Sequence, residues 1–153
     1  MDQKAQARPP TEHRFGGQAL VEIVVALGIA VLVVVALVAL VATSLSNVLF
    51  SRTQGQANRY AKEAQAWARG ERDKNWTLFS GKVGNTWCMP TLAWPGAGGV
   101  CGQSAFIPNT ALRRELILTS ISATEVDAAA RVYWIDNKGS HEVRLNSKLT
   151  NWR

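Results

Sequence analysis

No proline falls between residues 18 and 89, and no charged residue other than Glu22 falls between Gln18 and Ser51. The first absence permits one helix of unusual length, because proline removes an intrahelical donor and clashes with the preceding turn. The second excludes an ordinary solvated surface over that stretch. Cysteine is limited to Cys88 and Cys101, and beyond residue 17 the only histidine is His141. A metal site on the cysteine pair would need two more ligands, and His141 has no ligand spacing around it. His141 also lacks a nucleophile–base partner that spacing identifies, and no catalytic motif appears elsewhere. The chain therefore reads as a non-enzyme with no metal and no cofactor.

What is present is concentrated. Ile23–Ala42 is a run of 20 uncharged, almost wholly apolar residues. At about 1.5 Å per residue it crosses a hydrocarbon core of about 30 Å. A secretory signal peptide has a shorter apolar core and a small-x-small cleavage site; here the core is longer and only Ser44-Leu45-Ser46 approaches such a site. Glu22 is costly at the edge of such a helix, since insertion scales put an acidic residue at a helix centre near ~3 kcal/mol. A chain that carries one there is expected to supply a partner for it. Basic residues flank the run on both sides (Lys4, Arg8 and Arg14 before it; Arg52, Arg59 and Lys62 after it), so the positive-inside rule gives no orientation.

The cysteines give one. Cys88 and Cys101 bracket a loop with two prolines and three glycines, which makes a regular element improbable and pinning useful. A disulfide is the favoured reading, ahead of two buried thiols and a metal site; it would contribute about 3 kcal/mol through loop entropy. It would also place residues 51–153 outside the cytoplasm. That part carries 14 Lys/Arg against 8 Asp/Glu, a net +6. Such a balance suits contact with acidic surfaces, and plain solubility explains it equally.

Residues 1–15 are polar and contain Pro9-Pro10, with no helical or strand period, and residues 1–17 read as a cytoplasmic leader. From Gln18 the pattern is helical to about Lys74, roughly 85 Å of helix. Residues 18–50 form the transmembrane half. Residues 51–80 form an amphipathic half, whose stripe reads Val48, Leu49, Arg52, Gln56, Tyr60, Ala64, Trp67 and Ala68. Gly55 and Gly70 weaken it, and Thr43-Ser44 with Ser46-Asn47 mark a looser junction. Residues 81–153 form a β-rich head containing the cysteine loop. Strands are expected over 114–121, 130–135 and 141–149, the last two joined as a hairpin by Asp136-Asn137-Lys138-Gly139-Ser140. That turn is preferred to a calcium loop. The expected fold is α+β, a long helical handle on a small antiparallel head, ladle-shaped.

The segment Gly16-Gly17-Gln18-Ala19-Leu20-Val21-Glu22, running into an apolar helix, resembles the prepilin cleavage and methylation motif of type IV pilins and type II secretion pseudopilins. The resemblance covers about 30 residues. It implies cutting by a prepilin peptidase between Gly17 and Gln18, N-methylation of Gln18, and an assembly role for Glu22 at the fifth mature position. Gln18 stands where phenylalanine or methionine is usual, Ala19 where threonine is common, and the proline of many major pilins near Ala39 is missing. The last difference implies a straighter helix and a minor-pilin or pseudopilin role.

The partners so implied are the peptidase, other pilin or pseudopilin subunits, an inner-membrane assembly platform and membrane lipid. The implied location is the inner membrane as a single-pass protein with an extracytoplasmic head, then a pilus or pseudopilus filament. Adhesion, motility, secretion and DNA uptake all stay open. In a filament, Glu22 would pair with the amine of a neighbouring Gln18 and set subunit register; an unpaired buried charge costs about 3–5 kcal/mol. The alternative is a membrane-tethered binding domain that never polymerises. Arg113-Arg114, Arg131, Arg144 and Lys148 are a weak candidate track for DNA, without an aromatic–basic signature. Trp76, Trp87, Trp94, Trp134 and Trp152 are expected in the core rather than on a glycan platform.

Overall fold

The computed structural model describes residues 17–152. The leader expected over 1–17 lies outside these residues except for Gly17. One helix, α1, occupies Gln18–Lys74, 57 residues without interruption. The chain falls into two compact units, one reaching Asn47 and the other starting at Val48. In the first, the large apolar side chains from Leu20 to Leu45 are all at least half exposed. α1 is the one helix among the described residues that is long and apolar enough to cross a membrane. Helix is the form such a segment must take in lipid, because each backbone group then finds its partner within the segment. Thr43 does not break it: its hydroxyl donates back to the Ala39 carbonyl at 2.9 Å. Gly55 and Gly70 do not break it either.

α1 stops at Asn75, whose backbone is extended (φ −161°, ψ 107°). Asn75 then caps a five-residue helix, α2 (Trp76–Ser80), accepting a hydrogen bond from the Leu78 amide at Oδ1. Four strands follow: β1 (Thr86–Cys88), β2 (Arg113–Ser122), β3 (Glu125–Asp136) and β4 (Gly139–Thr150). They pair in chain order, all antiparallel, leaving β1 and β4 as the edges. The β3–β4 hairpin closes on Asn137-Lys138. Asp136 accepts the Lys138 amide at 2.7 Å and Gly139 takes φ +126°, a conformation that favours glycine.

The strands sort their side chains by parity. Leu116, Leu118, Val126, Ala128, Ala130, Val132, Trp134, Val143 and Leu149 are buried on the inner face, against Ala57, Ala61, Ala64 and Ala68 of α1. The result is α+β, a long N-terminal helix packed on a four-stranded antiparallel sheet. The helical stripe differs from the expected one. Val48, Leu49, Arg52 and Gln56 are exposed, while Tyr60, Ala64, Trp67 and Ala68 lie against the core as expected; Ala57 and Ala61 complete a line of fully buried alanines at 57, 61, 64 and 68, with Phe50 half-buried beside it. Their 4-3-4 spacing is the helix period. Alanine carries so little apolar area that larger neighbours outweigh it in a sequence pattern. β3 also begins five residues before its expected start, because Ala128-Ala129-Ala130 has little intrinsic strand preference and is held by pairing on both sides.

Candidate functional site

The residues singled out near the N-terminus occupy one end of α1. Gly17 is an exposed turn residue, Gln18 opens the helix, and the Val21 amide donates to the Gly17 carbonyl at 3.4 Å. Glu22 follows one turn later, with Val21, Val25, Ala26 and Ile29 forming an apolar surface around it. The helix has no acidic residue in its first turn, so Glu22 stands as an isolated carboxylate. Its environment along this unit is apolar side chain on every face. In water this costs little; in lipid or in a bundle of such helices it requires a cation.

In the head, Cys88 and Cys101 are joined by a disulfide. Cys88 ends β1 opposite Glu115 of β2. The loop so tied lies on the outer face of the sheet, and it covers a charged cluster that the sequence reading did not single out. Glu115 is 1% exposed. One carboxylate oxygen accepts the Cys101 amide at 2.8 Å and the Tyr133 hydroxyl at 3.1 Å, while the other pairs with the Arg131 guanidinium at 2.9 Å. Burial, with the nearby Glu115 carboxylate, raises the Tyr133 hydroxyl above its usual pKa, which keeps it a donor. A second buried charge, Arg114, lies on the opposite face. It donates to the Met89 carbonyl at 3.0 Å and the Tyr60 carbonyl at 3.5 Å, and approaches Glu63 of α1 at 3.6 Å. Desolvation lowers its pKa, with Glu63 opposing. Arg114 thus ties helix, sheet edge and loop base together.

These placements take Arg114 off the candidate DNA track, while Arg113, Arg131, Arg144 and Lys148 share the outer face of the sheet. Adjacent residues in a strand face opposite sides, so Arg113 and Arg114 never shared a surface. Arg114 is 3% exposed and turned inward. Arg113 donates to the Gln103 carbonyl at 2.6 Å and Arg131 serves Glu115, leaving Arg144 and Lys148 on the exposed side of β4. The alternation of strands was the available signal.

The tryptophans divide. Trp67, Trp87 and Trp94 meet edge to face, with Trp94 centred 4.8 Å from Trp67 and 5.3 Å from Trp87. Trp94 donates its indole N–H to Glu71 at 2.8 Å. Trp76 packs on Phe79, and Trp134 stacks on His141 beside Phe50. Trp152 departs from the expectation of a core position: it is 62% exposed, on the segment after β4. His141 is held by Asp136 at 3.0 Å and by the two rings, a structural use of the imidazole. Among the described residues no group of His, Cys, Asp or Glu is arranged to hold a metal ion. No protein-family model, curated protein or solved structure matches the chain.

Proposed function

We propose that this chain is a type IV pilin-like structural subunit, of the minor-pilin or pseudopilin kind. It is inserted in the inner membrane with its head outside the cytoplasm, cut between Gly17 and Gln18, and assembled into a filament. The observation that carries the reading is register. One carboxylate, Glu22, is the fifth residue after the Gly17–Gln18 bond, directly before the uncharged, almost wholly apolar run Ile23–Ala42 of the same helix. Two further features support it: the same helix runs unbroken to Lys74, and the region beyond it contains a disulfide. Cutting at Gly17 removes Lys4, Arg8 and Arg14 and creates an amine on Gln18, the cation that Glu22 lacks. In the assembled bundle the amine of a neighbouring subunit pairs with Glu22, offsets its desolvation and fixes how far one helix slides along the next.

The competing reading is a membrane-tethered binding domain that keeps its first 17 residues and stays single. Intact mass of the protein extracted from membranes separates the two. Loss of residues 1–17, with or without one methyl group on Gln18, is the expected result. Retention of Lys4 and Arg8 in the extracted protein would overturn the proposal in favour of the tethered domain.

A further inference from the structure

We infer that Asn75 is an acceptor site for N-linked glycosylation, recognised by a membrane oligosaccharyltransferase through the five residues Asp73-Lys74-Asn75-Trp76-Thr77. Of the eight asparagines in the chain, Asn75 alone is followed two positions later by serine or threonine. With a residue other than proline between them, that spacing is the acceptor motif for attaching a glycan to an asparagine amide. Bacterial transferases of this class also take an acidic residue two positions before the asparagine, and Asp73 stands there. The inference rests on the extracytoplasmic head of the proposed function, because the transfer takes place on that side of the membrane.

The fold presents the motif at the break between two helices. Asn75 and Thr77 are exposed, and Asn75 has extended backbone (φ −161°, ψ 107°) where α1 ends. Trp76, between them, packs on the buried Phe79, ring centres 6.1 Å apart. The Asp73 side chain is 42% exposed and meets Arg72 at 2.8 Å. Such a partly exposed ion pair contributes little, so a cation of the transferase can take the place of Arg72. Lys74 is turned to Glu71 at 2.7 Å. Thr150, Asn151 and Trp152 border the motif across an open recess of about 310 Å³, which gives the first sugar room beside the chain.

The two polar atoms of the Asn75 carboxamide have separate uses. Oδ1 accepts the Leu78 amide at 3.0 Å and caps α2. The group it meets is an N–H, so the oxygen must face it and Nδ2 must face away. Nδ2 makes no hydrogen bond to the described residues. Transfer forms a bond from Nδ2 to the anomeric carbon of an oligosaccharide carried on polyprenyl pyrophosphate. It breaks the bond from that carbon to the pyrophosphate oxygen and releases polyprenyl pyrophosphate and one proton. Oδ1 is untouched, so the modified asparagine still caps α2. To enter the transferase, residues 75–77 must leave the helical form. α2 has five residues, too few for a helix that is stable by itself. Its first turn is held by the Oδ1 cap and by the Phe79 amide on the Asn75 carbonyl at 3.0 Å, so this turn is among the parts of the head that open most readily.

The test expresses the full chain in a bacterium that carries a single-subunit oligosaccharyltransferase, its lipid-linked oligosaccharide and a secreted reference acceptor. A parallel chain carries a second copy of the five-residue motif appended after Arg153. Mass spectrometry of the tryptic peptide 75–82, with electron-transfer fragmentation, locates the glycan. The glycan is expected on Asn75 and is expected to be missing from Asn75→Gln. Thr77→Ala and Asp73→Ala are each expected to lower occupancy at least tenfold, and Thr77→Ser to retain most of it. A bare Asn75 in chains whose appended motif is modified would show the inference wrong and leave the location of the head intact. Both motifs bare, with the reference acceptor modified, would overturn the extracytoplasmic head and the inference with it. Parental occupancy in Thr77→Ala or Asp73→Ala would mean that these five residues are not what the transferase recognises.

Discussion

Glu115 shows how a charge can be buried and still be stabilising to its surroundings. Its carboxylate is out of water, but an amide, a hydroxyl and a guanidinium meet it. Removing it leaves Arg131 without its buried partner and the Cys101 amide without an acceptor. Glu115→Ala is therefore expected to destabilise the head by about 3 kcal/mol, read by urea unfolding of the full chain. A loss below about 0.5 kcal/mol would mean that water substitutes for all three contacts. Glu71 gives a pH signature. The Lys74 ammonium lowers its pKa most, with burial opposing, and the Trp94 indole N–H lowers it further. Because the folded value lies below the unfolded one, the contribution is complete at neutral pH. It is lost as pH falls through the depressed folded value. Glu71→Gln should flatten the acid side of a melting-temperature profile, followed by tryptophan emission; an unchanged acid side would sever Glu71 from acid stability. The cysteine pair was legible from its loop, because glycine and proline announce irregular backbone that needs a tie. Glu115 was not, since a carboxylate in an alternating strand reads as solvent-facing until something is known to cover that face.

The helix and the strands were legible to different depths for the same reason. Period and length carried α1 from Gln18 to Lys74, and alternation carried β4, where Val143, Leu145 and Leu149 face inward between charged neighbours. α2 and β1 span five and three residues, too few for any period to register. Both exist because of a local device, the Asn75 cap for one and pairing to Leu116 for the other. The alanine stripe of α1 was only half visible, through Ala64 and Ala68. It predicts its own test. Ala64 is fully buried and Ala66 is exposed on the same helix. Ala64→Leu should cost about 1–3 kcal/mol by overpacking against the sheet, whereas Ala66→Leu should stay within about 0.5 kcal/mol, both read by thermal unfolding. Equal effects would mean that the stripe does not seat the sheet.

The whole chain joins two environments that ask opposite things of a surface. From Leu20 to Leu45 the large side chains are apolar and exposed, while residues 51–153 carry a net +6. The proposed filament role makes Glu22 the one residue that must report on its neighbours. Glu22→Ala is expected to leave cutting after Gly17 intact, by mass, while lowering the yield of sheared filaments by tenfold or more. Filaments at parental yield would remove the register role. The division of labour was legible from the charge map and the apolar run, but the head's internal salt links were not, because they join residues as far apart as Glu63 and Arg114. One feature bears on life before assembly. β4 is a twelve-residue strand with one side unpaired in the sheet, and the proposed filament role would bring many such heads close together. A long open edge is a template for runaway sheet growth. Glu142, Arg144 and Lys148 on the outward face of that edge make most stray registers set charge against charge or strand it beside apolar groups. If heads are stored side by side before assembly, a charged edge of this kind is the feature that would keep one sheet from extending into the next.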